Sequence, residues 1–62
     1  MTVFMIKVGD NFVSKAGTLV GVEEPGQIKL FFCELEARTF AKKSAKKYGS
    51  KHVRVHSQQV SA

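Results

Sequence analysis

Hydrophobic and polar positions change period twice along this chain. Val3 to Val8 is a short run rich in β-branched and aromatic residues, which fits a strand better than a helix. Gly9-Asp10-Asn11 follows, three residue types that tolerate the backbone of a tight hairpin turn. Phe12 to Lys15 reads as the returning strand, Ala16-Gly17 as a second turn, and Thr18 to Val22 as a third strand or extended edge. Glu23-Glu24-Pro25-Gly26 marks a loop, because proline fixes φ and glycine frees it. Ile28 to Phe32 alternates again, which predicts a strand with Ile28, Leu30 and Phe32 on one face.

The period then becomes helical. Glu34 to Tyr48 contains no glycine or proline, and helix formers dominate it. Ala37, Phe40, Ala41, Ser44, Ala45 and Tyr48 recur at spacings of three and four and predict one buried stripe. Glu34 and Glu36 fall at the positive end of the helix dipole, and the lysines toward its negative end. Glu34 precedes Arg38 by four residues, the favourable order for a helical ion pair. Gly49 is placed to end the helix, and Cys33 stands where a capping Ser, Thr or Asp is usual. His52 to His56 returns to alternation, with Val53 and Val55 directed inward, and predicts a last strand. Residues 57–62 carry no pattern and read as a flexible tail.

The elements add up to an α+β fold, β-β-(β)-β-α-β: a small antiparallel sheet with one helix on one face, occupying residues 1–56 as a single domain. A helix of about 22 Å covers only one side of such a sheet. If Phe4, Ile6 and Val8 face the helix, Val3 and Met5 face away, and Val13 and Phe31 are assigned to the same outer side. Antiparallel sheets normally turn polar residues to water there. Val3, Met5, Val13 and Phe31 are therefore the expected protein interface, unless a loop covers them.

Composition sharpens this picture. The 62 residues allow one domain, and a chain this short buries only about 60% of the surface its unfolded form exposes. With a single cysteine there is no intramolecular disulfide, which points to a reducing compartment, and self-association remains as a source of stability. The longest apolar run, Val3-Phe4-Met5-Ile6, is far too short for a membrane span, and the N-terminus lacks the features of a signal peptide. A cytoplasmic protein with no membrane partner and no cofactor is expected. Charge is one-sided: residues 1–32 are balanced, whereas residues 33–56 hold the whole excess of +5. Arg38, Lys42, Lys43, Lys46, Lys47, Lys51 and Arg54 thus form a candidate surface for nucleic acid or another anionic partner.

Other chemistry is poorly served. His52 and His56 lie four apart on a strand, about 13 Å between Cα atoms, too far to share a zinc ion readily. Cys33 with a histidine base is the one nucleophilic pairing available, yet Glu34 and Glu36 would oppose a thiolate beside them. The glycines punctuate turns and lack the spacing of a phosphate loop. No enzyme is expected.

The stretch Met5-Ile6-Lys7-Val8-Gly9-Asp10-Asn11-Phe12-Val13-Ser14 resembles the first hairpin of small phage- and prophage-encoded proteins of unknown function. Ala37-Arg38-Thr39-Phe40-Ala41-Lys42-Lys43 through Ala45-Lys46-Lys47-Tyr48-Gly49, with the strand after it, resembles their helix and closing strand. The chain departs from that pattern at Cys33. The resemblance implies a hairpin–helix–strand protein that modulates or inhibits host machinery or a defence factor. The expected function is a non-enzymatic interaction module, homodimeric, binding a protein target; the alternative is a nucleic-acid-binding accessory protein using the basic face of helix 34–48.

Overall fold

In the computed structural model, which describes residues 1–60, the chain opens with strand β1 (Thr2–Val8) and turns back as β2 (Asn11–Val13). Lys7 pairs with Phe12 and Val8 with Asn11, leaving Gly9 and Asp10 as a two-residue loop. Gly9 takes φ of 61° and Asp10 does not have positive φ, the pattern of a type II′ turn, whose twist matches that of the strands. A second tight turn follows. Ser14 is buried, its amide donates to the Thr18 carbonyl at 2.7 Å, and its Oγ accepts the Thr18 amide at 3.0 Å. That closure leads into β3 (Leu19–Val20), shorter than the Thr18–Val22 span expected from sequence.

The expected strand Ile28–Phe32 is replaced by two separate antiparallel bridges, Ser14–Ile28 and Phe4–Phe31. After Val13 the hairpin splays, and the segment behind a single 3-10 turn (Pro25–Gln27) enters the gap. Lys29 N–H donates to the Val13 carbonyl, while Phe4 and Phe31 exchange both of their backbone bonds at 2.8 Å. The segment is wedged between two diverging strands, so it bends rather than alternates. Ile28 and Phe31 are buried, whereas Leu30 and Phe32 are exposed.

Helix α1 (Glu34–Tyr48) has the bounds its periodicity predicts. Cys33 is the N-cap and makes no side-chain capping bond; Gly49, at φ of 93°, ends the helix with its amide on the Ala45 carbonyl. Ala37 and Ser44 are buried, and Phe40, Ala41, Ala45 and Tyr48 half-buried, so the expected stripe is the packed one. Glu34 and Arg38 form the expected ion pair at 3.0 Å. The chain closes with β4 (Val53–Gln59), paired antiparallel to β1 along its whole length and completing a four-stranded sheet in the order β3-β2-β1-β4. β4 thus extends the predicted His52–His56 strand, and residues 57–59, read as tail, belong to the sheet; Ser61 and Ala62 lie outside the described residues.

Two apolar clusters hold this α+β arrangement. On the helix side, Ile6, Val8, Val13, Phe31 and Ala37 pack with Phe4, Phe40, Tyr48, Val53 and Val55. Ile6 is fully excluded from solvent, and the Phe31 and Phe40 rings lie 5.3 Å apart. On the other side, Met5, Phe12 and Ile28 pack with Val20. The expectation of an open apolar face is corrected here. Val3 and Met5 do face away from the helix, but they are buried, and Val22, Pro25, Ile28 and Leu30 of the connecting loop line one cleft with them. Val13 and Phe31 sit on the helix side, also buried. The loop after β3 crosses the second face because it must carry the chain from the β3 edge to the gap between β1 and β2; it buries Val3, Met5 and Ile28 while Val22 and Leu30 stay exposed.

Candidate functional site

The surface that stands out is the outer edge of β4. Its hydrogen-bonding phase follows from both ends of the β1–β4 ladder. Val60 N–H donates to the Met1 carbonyl, and Gly9 N–H donates to the His52 carbonyl. With the register Val3–Gln58, Met5–His56 and Lys7–Arg54, those pairs are the hydrogen-bonded ones, since bonded and non-bonded pairs alternate in an antiparallel ladder. Phe4 agrees, because it spends its N–H and C=O on Phe31 rather than on Ser57. The backbone groups of Val53, Val55, Ser57 and Gln59 consequently point out of the sheet, where no described strand pairs with them.

This edge is long and regular. Its seven residues contain no proline or glycine, and the register runs without a bulge from Thr2–Gln59 to Val8–Val53. The opposite edge, β3, is two residues long. Natural sheets usually blunt an exposed edge by shortness, bulges, proline or charge. A single charge, Arg54, is the device present here. Arg54, His56 and Gln58 project from β4 on the face away from the helix, and all three are exposed. His56 lies edge-on to Phe12 with centroids 6.1 Å apart, and Lys7 lies 5.9 Å from the same ring. Lys7 and Arg54 are direct cross-strand partners, a like-charge pairing that costs stability. With Lys51, His52, Gly9 and Asp10 they line a cleft of about 340 Å³ at the end of the sheet.

The helix contributes a second set of cations. Phe40, Lys43 and Lys47 line one cleft together with Val13 and Gly17, so that flank of α1 lies toward β2. Arg38 and Ala45 fall on the opposite flank, and Lys42 and Lys46 lie on the outer side of the helix, away from the buried stripe. Lys42, Lys43, Lys46 and Lys47 are all exposed, as are Arg38, Lys51 and Arg54. The seven predicted cations do not form one face. Lys43 and Lys47 lie on the β2 flank, Lys47 with its Nζ 5.3 Å from the Tyr48 ring, whereas Arg54 projects from β4 on the face away from the helix.

Some features escaped the sequence. The outward backbone of β4 has no signature of its own, since which strand lies at an edge is a matter of pairing. Leu35 and Phe32 are largely exposed, at 72% and 68%, and Leu35 lines a shallow apolar groove of about 310 Å³ with Phe31, Thr39 and Phe40. Leu35 stands off the helical stripe, the one signal that marked it. Cys33 is exposed and free. Among the described residues no cluster of three or more His, Cys, Asp or Glu converges, and no helix is long and apolar enough to cross a membrane. Comparison of the chain with protein-family models, curated proteins and solved structures returns no match.

Proposed function

We propose that this protein is a non-enzymatic interaction module that receives an extended segment of a partner protein as an added strand along β4. The open edge carries the reading: a regular seven-residue strand in which the outward N–H and C=O groups of Val53, Val55, Ser57 and Gln59 have no partner among the described residues. Strand addition supplies main-chain hydrogen bonds for affinity and leaves alternate side chains for specificity. The resemblance of the hairpin and helix to phage-encoded proteins supports a host or defence factor as the partner, which the module would modulate or inhibit. Proline at Ser57 tests this. It deletes an outward N–H while sparing the ladder to β1, so proteins cross-linked to the wild type in nuclease-treated host lysate should be lost from Ser57→Pro and kept by Ser57→Thr. Equal capture by all three proteins contradicts strand addition.

A second reading rests on the helix lysines, which are exposed and carry no ion pair among the described residues. Contact of Lys42, Lys43, Lys46 and Lys47 with a phosphate backbone would make binding fall steeply with salt. Replacing all four with glutamine should then weaken nucleic-acid retention for every sequence alike and flatten the salt slope. Absence of retention by the wild type at low ionic strength removes this reading.

A further inference from the structure

We infer that the segment received by β4 is acidic, with carboxylate side chains at alternate positions facing Arg54 and His56. The inference rests on the strand-addition reading and names the partner's chemistry. An added strand lies beside β4 with its side chains on the same two faces. On the face away from the helix its neighbours are Arg54 and His56, two residues apart, with Lys51 and His52 beyond the strand's start. β4 itself holds no acidic residue, and the cleft at its start is lined by Lys7, Lys51 and Arg54 against a single acid, Asp10.

A second copy of this chain fits the edge less well. In the two-fold register centred on Val55, Arg54 of one copy lies opposite His56 of the other, and no carboxylate of β4 answers either group. Arg54 is left unanswered when two copies pair and is answered by an acidic strand, which makes it both a guard against self-pairing and a means of selection. Each exposed ion pair changes affinity by up to about fivefold, so the two at Arg54 and Lys51 together favour an acidic strand over its neutral counterpart on the order of tenfold.

The test uses two synthetic peptides, one alternating glutamate with threonine and one alternating glutamine with threonine, titrated into the isotopically labelled full chain. The acidic peptide should bind about tenfold more tightly and slow amide exchange at Val55 and Ser57, while Arg54 and His56, already bonded to β1, change little. The double variant Arg54→Gln/Lys51→Gln should lose the preference for glutamate, and Ser57→Pro should bind neither peptide while keeping a folded spectrum. Equal protection by the two peptides overturns the acidic preference and leaves strand addition standing. Protection by neither overturns both. Protection at Val55 and Ser57 that grows with protein concentration alone assigns the edge to a second copy, and acidic-peptide effects confined to Lys43, Lys46 and Lys47 move the site to the helix; either result overturns the inference.

Discussion

Two adjacent prolines in β4 should have different consequences, and the difference reads out the edge directly. Gln58 and Ser57 are both exposed, so neither substitution removes core packing. Gln58 is the hydrogen-bonded partner of Val3, and Gln58→Pro deletes the N–H that faces the Val3 carbonyl. The lost bond is worth about 1 kcal/mol net, and stranding a carbonyl on a residue only 6% exposed adds about 1–3 kcal/mol. Ser57 opposes Phe4 in a non-bonded pair, so Ser57→Pro breaks no ladder bond and costs only the adjustment of φ, about 1 kcal/mol. A domain this size shifts its midpoint by about 4–8 °C per kcal/mol, so the two variants should melt on the order of 10 °C apart, Gln58→Pro lower. Thermal unfolding followed by circular dichroism measures this. Equal losses, or the greater loss at Ser57, would show that the phase of the β1–β4 ladder is misassigned and that β4 turns its other backbone groups outward.

Three further outcomes are expected. Ile6→Ala should lower stability by about 2–5 kcal/mol, most of what a small domain possesses, since Ile6 is wholly buried against Val8, Val13 and Phe31; a denaturant midpoint near wild type would contradict that core. Gly9→Ala should cost about 1–2 kcal/mol because φ is 61° there although nothing crowds the added methyl, and a neutral result in urea titration would exclude the type II′ turn. Met5→Ser should destabilise the monomer itself, leaving the melting temperature independent of protein concentration, because Met5 packs under the loop with Phe12 and Ile28; a melt whose concentration dependence disappears on substitution would return Met5 to an intermolecular interface.

What the amino-acid order determined by itself is local. The helix from Glu34 to Tyr48, its end at Gly49, the Glu34–Arg38 pair and the first hairpin all follow from contacts within a few residues, where periodicity, capping and turn chemistry act. Tertiary structure decided everything that depends on which distant segments meet. Ile28 to Phe32 alternates like a strand, yet it became a bent wedge because the hairpin splays after Val13 and the gap had to be filled. Residues 57–59 look like a tail, yet they joined the sheet because β1 offered backbone partners as far as Thr2, and ladder bonds are indifferent to side-chain pattern. Val3, Met5, Val13 and Phe31 read as an exposed interface, but alternation states only that neighbours face opposite sides, not what lies over each side. The charges divided for the same reason. Their types were legible, but only the placing of α1 over the sheet set Lys43 and Lys47 on its β2 flank and left Arg54 on the far face beside the open edge.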